Sequence, residues 1–337
     1  MKKLISAILC AAMLLTFSSC TQNIKQEYSF FGMNTLMAIT VFDGGSLSPE
    51  AVNNITKEKC EELEKVFDAL DENSEVYRFN NRISRDFKVS PTLNSALTKA
   101  LLAYDITDGA FDISVMPLLS LWGFDNGNYG LPKHGDIENA LKSVGSKKLT
   151  LSGGVLSADA DVKISMGGIA KGFFGDELIK NFKDSGVTAV FSLGGNIVTL
   201  GQKKDGLPFS IAIKDPKNDS ATFCTVKVGG ETSVVTSGGY ERYFEYEGKK
   251  YHHILDPKTG YPAESGILSV TVIGKDGALC DAFSTGLFVL GREKAAEIMK
   301  SQSGFDYVIL CDDGKIYTSL SEEALTLSKD TDYTVVR

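Results

Sequence analysis

Features that point to several common functional classes are scarce in this chain. Its six cysteines include no Cys-x-x-Cys pair, which gives little support to a zinc site or to thiol redox chemistry. Cys60, Cys224 and Cys280 lie far apart in apolar surroundings, so we expect buried free thiols and at most one disulfide. No lysine and arginine cluster stands out in a chain with a formal net charge of −8, which argues against nucleic acid as a partner.

Long apolar runs are also scarce, and the one that is present lies at the N-terminus. Lys2 and Lys3 precede an apolar run over residues 4–17, and Ser18-Ser19-Cys20 follows as a small-residue cleavage site. This pattern predicts a lipoprotein signal peptide over residues 1–19, with a lipid such as palmitate on the Cys20 thiol. Residues 20–27 would be the lipidated cysteine and a short tether, so we predict an extracytoplasmic protein anchored to the cell (inner) membrane. An ordinary signal peptide cut nearby is the alternative.

The remainder alternates between helical and strand-like patterns. Helical spacing of apolar residues is found over 48–70, 91–104, 137–144, 173–182, 279–287 and 293–299. Strand-like alternation is found over 28–42, 189–200, 211–213, 225–228, 234–236, 243–254 and 267–273, and residues 73–81 are predicted to be a loop. We therefore expect one mixed α+β domain over residues 28–337, with mainly antiparallel sheets and flanking helices; two lobes around the site are the variant left open. The strands between residues 211 and 254 are predicted to build one sheet.

A histidine pair stands out because the chain has three histidines in total. His252 and His253 end an alternating strand and precede a turn at Asp256-Pro257. Adjacent residues on a strand point to opposite faces, so only one of the two rings can enter a site. A hairpin with two surface histidines is the alternative.

Two further segments carry groups that suit phosphate chemistry. The glycine-rich turn at residues 165–172 opens a helix, and main-chain amides at such a turn favour anionic groups, although its glycine spacing matches neither the P-loop nor the dinucleotide pattern. A turn used only for packing is the alternative. Asp281 and Thr285 are four residues apart and share a helix face, so they can offer two oxygen ligands to Mg²⁺. The alternative is that Asp281 merely begins the helix.

Taken together and in order, these motifs resemble the ApbE family of FAD:protein FMN transferases. The motifs are Ala110-Phe111-Asp112 with Trp122-Gly123, the turn Gly167-Gly168-Ile169-Ala170-Lys171-Gly172, Thr236-Ser237-Gly238, His253-Ile254-Leu255-Asp256-Pro257 and Asp281-Ala282 with Ser284-Thr285. The resemblance covers about residues 28–309. It implies an ApbE-like fold and Mg²⁺-dependent transfer of FMN from FAD to a threonine hydroxyl of a partner flavoprotein, with release of AMP.

Two other functions stay open at this point. One is an FAD pyrophosphatase that gives FMN and AMP, and the other is a membrane-tethered flavin-binding lipoprotein without turnover. The implied partners are FAD as the substrate, an acceptor flavoprotein and the membrane.

The resemblance also implies roles for individual residues. His253 would assist deprotonation of the acceptor hydroxyl, and Asp281 would help through the metal. Mg²⁺ would be held by Asp281, Thr285 and the main-chain carbonyl of Gly168. The residues expected around FAD are Met33, Leu70, Ala110, Phe111, Asp112, Ser165, Lys171 and Ile254.

Three positions depart from the family pattern. Asn34 stands where the family has the glycine of Met-Gly-Thr, Ser165 stands where aspartate is usual, and Leu70 stands where an aromatic residue is common. Ser165 is expected to alter contacts with FAD. Asn34 adds a polar amide near the expected pocket and leaves open the balance between transfer and hydrolysis.

Overall fold

The computed structural model describes residues 25–159 and 161–337. The predicted signal peptide, Cys20 and the residues up to 24 lie outside this part of the chain. The tether was predicted to reach Glu27, but the first strand begins at Gln26, because Gln26 and Glu27 pair with Val41 and Thr40 in an antiparallel hairpin. Gln26 and Glu27, which the sequence analysis placed in the tether, thus belong to the first described strand.

The described residues form helices and strands with the following bounds. The helices are α1 (Pro49–Phe67), α2 (Glu75–Asn80), α3 (Pro91–Ile106), α4 (Met116–Trp122), α5 (His134–Leu141), α6 (Ala170–Phe182), α7 (Gly277–Leu290) and α8 (Arg292–Ser301). The strands are β1 (Gln26–Gly32), β2 (Thr35–Asp43), β3 (Asp86–Lys88), β4 (Thr150–Ser152), β5 (Val155–Ser157), β6 (Thr188–Ser192), β7 (Asn196–Leu200), β8 (Phe209–Asp215), β9 (Asn218–Val228), β10 (Thr232–Gly238), β11 (Tyr243–Tyr246), β12 (Lys249–His252), β13 (Ile267–Gly274), β14 (Phe305–Cys311), β15 (Lys315–Thr318), β16 (Leu325–Leu327) and β17 (Thr334–Val336).

A nine-stranded sheet is the central layer of this α+β domain. Its order is β1-β2-β6-β7-β10-β13-β14-β15-β17, and β15 and β17 are its one parallel pair. Apolar residues that are adjacent in a strand enter opposite cores, as Val234 and Val235 do in β10. The helices α1, α3, α6 and α7 cover one face, and the small sheet β16-β9-β8 packs on the other. The fold class predicted from the sequence is confirmed.

The strands between residues 211 and 254 do not build one sheet, as was predicted. β8 and β9 pair with β16, β10 joins the central sheet, and β11 and β12 form a separate hairpin that turns at Glu247-Gly248. Apolar alternation predicts which residues face a core, but the same pattern suits a strand in either layer of stacked sheets.

Local chain geometry corrects two further predictions. The strand pattern over 28–42 is a hairpin, since Met33 and Asn34 both have positive φ angles, of 46° and 59°, which is the geometry of a two-residue turn. The predicted loop over 73–81 contains α2, whose first turn is capped by Ser74 Oγ accepting a hydrogen bond from Tyr77 N (3.0 Å).

The cysteines in the described part of the chain are all buried. Cys60, Cys224 and Cys280 are buried free thiols, as expected, and so is Cys311, which the sequence analysis had not considered. Within residues 25–159 and 161–337, no helix combines the length and the apolar character needed to cross a bilayer.

Candidate active site

A cavity of about 420 Å³ lies where the β1–β2 hairpin, the segment after α3, the start of α6 and the middle of α7 meet. All of the site residues predicted from the sequence line it: Met33, Leu70, Ala110, Phe111, Asp112, Ser165, Gly168, Lys171, His253, Ile254, Asp281 and Thr285. Residues from Met33 to Thr285 therefore share one chamber, although the chemical role of each stays a prediction.

Asp281 lies in the second turn of α7, at the contact between α7 and α6. Its Oδ2 accepts a hydrogen bond from Gly172 N at 2.8 Å, and only 4% of the residue is exposed. Burial raises the pKa of Asp281, while the positive charge of Lys171 and the Gly172 hydrogen bond act in the opposite direction. Asp276, and not Asp281, caps the helix by accepting a hydrogen bond from Leu279 N at 3.0 Å. The helix-start reading of Asp281 is therefore wrong.

Two glycines allow α6 and α7 to approach closely enough for this hydrogen bond. A Cβ atom on Gly172 would lie 2.1 Å from Gly277 O and 2.7 Å from the Cβ of Asp281. Gly277 has the matching restriction, since its Cβ would lie 2.7 Å from Gly172 O. The glycine of the 165–172 turn thus has a packing function that fixes the position of a carboxylate in the cavity.

An ion-pair network outside the cavity also connects α6 and α7. Lys99 Nζ on α3 donates hydrogen bonds to Asp176 (2.8 Å) and Asp276 (2.9 Å), and Asp176 also accepts one from Gly277 N (2.6 Å). Burial disfavours the charged form of Lys99, but the two carboxylates outweigh it and raise its pKa. The network joins α3, α6 and the N-terminus of α7 into one support.

Thr285 lies one turn beyond Asp281 and faces the glycine turn. A Cβ on Gly168 would lie 3.7 Å from Thr285 Oγ1, so the Gly168 main chain and this hydroxyl are neighbours. Thr285 Oγ1 also lies 3.2 Å from Ser237 Oγ, which in turn lies 2.7 Å from Ser284 Oγ. The expected oxygen ligands are therefore close together and are supported by a hydroxyl chain from β10.

His253 is held in one tautomer by the main chain. Its Nδ1 lies 3.1 Å from Arg242 O, and since a carbonyl oxygen only accepts, Nδ1 carries the proton and donates it. Burial lowers the pKa of His253 to about 3, with Arg242, His252 and Lys171 adding to the effect, although the Arg242 hydrogen bond opposes it. The ring is therefore neutral at physiological pH, and its Nε2 is a free proton acceptor.

His252 points away from the cavity, as the strand alternation predicts. Its Nε2 donates a hydrogen bond to Ala263 O (3.1 Å), and its ring packs edge-on against Phe288 at 5.5 Å. Burial lowers the pKa of His252. This ring fastens the strand end on which His253 is placed.

Two predicted FAD-contacting side chains already have structural partners. Both oxygens of Asp112 are engaged: Oδ1 accepts from Ser114 N, Ser114 Oγ and Ser146 Oγ at 2.6–2.7 Å, and Oδ2 accepts from Ser146 N at 3.1 Å. Lys171 Nζ donates to Gly194 O at 2.7 Å. The Asp112 carboxylate thus holds the cavity wall, whereas Lys171 joins α6 to the turn between β6 and β7.

The three departures from the family pattern also lie at the cavity wall. Asn34 occupies the left-handed turn position, which asparagine tolerates better than most residues, and its neighbour Met33 is fixed by Met33 N donating to Glu64 Oε1 (2.6 Å). Ser165 Oγ accepts from Gly167 N at 3.3 Å. Leu70 is 49% exposed. The three departing residues therefore all belong to the lining of the cavity.

Sequence reasoning missed several residues that line the same cavity, among them Glu64, Arg242 and Asn196, and it named Ser237 within a motif without giving it a role. Glu64 fits the polar face of an amphipathic helix, and Arg242 acts through its main-chain oxygen, so neither gives a sequence signal. Asn196 follows the Gly194-Gly195 turn, and a polar residue that begins an apolar strand was an available signal. The described residues contain no cluster of three or more His, Cys, Asp or Glu side chains spaced to hold a metal, so a cation here would depend on neutral oxygens beside Asp281.

Comparisons with known proteins agree with each other. The ApbE family model matches residues 33–309. An FAD:protein FMN transferase of Haemophilus influenzae is 30% identical over 348 residues, which cover 98% of this chain and 100% of the relative. One of Vibrio cholerae is 33% identical over 269 residues, covering 77% of this chain and 80% of its own.

Solved structures give the same result for the fold. The crystal structure of the ApbE protein of Thermotoga maritima has a TM-score of 0.82 and 33% identity, covering 89% of this chain and 97% of that one. The flavin transferase ApbE of Vibrio cholerae has a TM-score of 0.77 and 25% identity, with 90% and 97% covered.

Proposed function

The chain belongs to the ApbE family, and from this premise we propose that it is an enzyme that transfers FMN from FAD to a threonine hydroxyl of an acceptor protein, with Mg²⁺ as the cofactor. The observation that carries the proposal is the placement of a neutral imidazole acceptor, His253 Nε2, in the same cavity as the buried carboxylate of Asp281. A base and an anionic cation ligand in one chamber are what attack on a diphosphate requires.

The donor set fits a hard cation. Asp281 and Thr285 share one face of α7, the main chain of Gly168 lies beside Thr285, and all three would offer oxygen, which Mg²⁺ prefers. Burial disfavours the ionised form of Asp281 and raises its pKa. A bound cation would offset this cost by stabilising the negative charge of the carboxylate. When bound, the cation would neutralise charge on the diphosphate oxygens.

The protein groups then account for the proton and the leaving group. The threonine Oγ forms a bond to the phosphorus of the FMN half, its proton passes to His253 Nε2, and the bond from that phosphorus to the oxygen of the AMP half breaks. AMP leaves with the electron pair of the broken bond. Arg242 O holds the Nδ1 proton, so Nε2 is the unprotonated ring nitrogen that takes up the threonine proton.

We also propose that the enzyme works at a membrane surface through a lipid on Cys20. Support comes from the signal pattern and from the short spacing to the fold, because only residues 21–25 separate Cys20 from β1. Five residues reach at most about 18 Å when extended, so Gln26, at the start of β1, would lie within that distance of the lipid headgroups. Membrane fractionation of the wild type and Cys20→Ser tests this, and an equal membrane share for both would refute it.

The activity is tested by incubating the protein with FAD, Mg²⁺ and a candidate flavoprotein domain, followed by mass spectrometry of that domain. We expect an FMN-sized increase on a threonine with the wild type, and loss of labelling with Asp281→Asn, which keeps the acceptor for Gly172 N but removes the charge. Asp105→Asn, on the exposed face of α3, is the matched control and should label normally.

The same reactions separate the competing functions. AMP release without any labelled protein would establish the FAD pyrophosphatase instead. FAD binding without consumption, unchanged in Asp281→Asn, would establish a flavin-binding lipoprotein and overturn the enzyme proposal.

A further inference from the structure

The side chain of Asn196 is buried in the cavity wall without a hydrogen-bond partner. Only 1% of the residue is exposed, and neither Oδ1 nor Nδ2 reaches a partner among the described residues. A buried amide that makes no hydrogen bond is costly, so such a group calls for a ligand.

The chain satisfies a structural asparagine quite differently elsewhere. Asn80, 5% exposed, donates from Nδ2 to Ile164 O and accepts at Oδ1 from Ile164 N, both at 2.8 Å. Among the described side chains with buried unpartnered polar atoms, Asn196 and Asp125 are the two that line the cavity, and Asp125 keeps a hydrogen bond from Ser120 Oγ (2.5 Å). Asn196 is therefore the cavity group with its whole hydrogen-bonding capacity unused.

Strand geometry shows which way the amide points. Asn196 and Val198 are two apart in β7 and so lie on the same face. Val198 packs on α6, where its Cγ2 lies 2.5 Å from the position of a Cβ on Gly175. One turn earlier in α6 are Lys171 and Gly172, so the side chain of Asn196 lies level with the helix turn that binds Asp281.

The same turn of α6 contacts Asp281, because Gly172 N donates a hydrogen bond to Asp281 Oδ2 at 2.8 Å. Asn196, Lys171 and Asp281 all line the cavity. The Asn196 amide and the Asp281 carboxylate therefore lie at the same level of the cavity wall.

We propose that Asn196 Oδ1 is a further cation ligand, completing the oxygen set of Asp281, Thr285 and Gly168. Amide oxygens are regular ligands of hard cations. The inference rests on the proposed function, which puts the cation at Asp281.

The test is a titration with Mn²⁺, followed by its electron paramagnetic resonance signal, in the presence of FAD and without an acceptor protein. Asn196→Leu keeps the volume but removes the oxygen, and we expect at least about tenfold weaker Mn²⁺ binding. Asn196→Asp keeps an oxygen and adds charge, and we expect Mn²⁺ binding at least about threefold tighter than in the wild type. Asn53, another buried asparagine with an unpartnered oxygen but outside the cavity, supplies the control Asn53→Leu, for which no change in Mn²⁺ affinity is expected.

The opposite signs of the two Asn196 variants distinguish a ligand from a structural residue, which would weaken binding in both. Thermal unfolding with and without Mn²⁺ shows whether each Asn196 variant is folded and whether it binds the cation. Mn²⁺ should raise the Tm of Asn196→Asp more than that of the wild type. Weakened binding in Asp281→Asn together with wild-type affinity in both Asn196 variants would overturn the role of Asn196 alone. Unchanged binding in Asp281→Asn would overturn the cation site of the proposed function.

Discussion

The Nδ1–H of His253 donates a hydrogen bond to the main-chain oxygen of Arg242 across 3.1 Å. Because this bond uses the only proton of the neutral ring, Nε2 is committed to accepting. Replacement of His253 by asparagine keeps an amide N–H close to the position of Nδ1 but removes the acceptor. We expect His253→Asn to lower kcat for FMN transfer by about 10²- to 10⁴-fold, with KM for FAD within a few-fold.

Initial rates of acceptor labelling measure this effect. His252→Gln is the matched control, because the glutamine amide can replace the Nε2 donor to Ala263 O and the side chain lies outside the cavity. A wild-type kcat in His253→Asn would exclude His253 as the base.

The lowered pKa values of His252 and His253 predict that the free energy of unfolding decreases at acid pH. Unfolded histidine titrates near pH 6.5, whereas His253 in the fold titrates near pH 3. Between these values the unfolded state binds more protons, so the free energy of unfolding is complete above pH 6.5 and falls as the pH is lowered toward 3. His253→Asn should reduce this fall by about 1–2 kcal/mol, a discounted value because the ring is only half-buried.

Urea unfolding between pH 3 and pH 8 measures the slope for wild type and variant. The many carboxylates contribute equally to both proteins, so the difference between the two curves isolates the histidine. Parallel curves would show that His253 is not desolvated in the fold.

Asp112 should matter more to folding than to FAD binding. Its carboxylate accepts four hydrogen bonds from Ser114 and Ser146, and Asp112→Ala would leave these buried donors without partners. We expect the free energy of unfolding to fall by about 2–4 kcal/mol. FAD affinity, measured by flavin fluorescence well below the melting temperature, should change less than about threefold.

The exposed Asp86 provides the comparison, since it accepts a single hydrogen bond from Ser157 Oγ (2.6 Å). Asp86→Ala should cost no more than about 0.5 kcal/mol. A large loss of FAD affinity in Asp112→Ala with little loss of stability would instead restore the FAD-contact role implied by the family resemblance.

Two glycines of the same turn should respond very differently to alanine. In Gly172→Ala the new methyl would meet Gly277 O at 2.1 Å, a main-chain atom that cannot move without shifting α7. We expect a loss of about 1–3 kcal/mol and a large loss of transfer activity, because Asp281 moves with the helix. In Gly167→Ala the nearest atom is Ser165 Oγ at 3.5 Å, an ordinary contact, so stability should stay close to that of the wild type. Thermal unfolding and labelling rates test both, and equal effects would contradict the close approach of α6 and α7.

Periodic patterns predicted the parts of the site that depend on one element alone. The spacing of Asp281 and Thr285 placed both on one face of α7, and strand alternation separated His253 from His252. The motif resemblance then brought together residues whose sequence separation gives no hint of contact. The prediction succeeded because of this resemblance, and all of the predicted site residues line one cavity.

The patterns could not predict which partner each polar side chain would hydrogen-bond to, or which would have none. Whether Asp112 is free for a ligand depends on Ser146, which is distant in sequence and contributes nothing periodic. The free amide of Asn196 is likewise visible only once the partners of every buried group are known. The helix α2 was missed because six residues carry too little periodicity, and its cap at Ser74 was the remaining signal.

The cavity is assembled from segments that lie far apart in the chain, from Met33 in the first hairpin to Thr285 in α7. A partly folded chain that lacks either end therefore has no complete binding chamber, and FAD becomes a ligand of the native state alone. By mass action, FAD at 100 times its Kd would stabilise the whole domain by about 2.7 kcal/mol. The supply of flavin would thus set the lifetime of this protein against proteolysis as well as its rate of turnover.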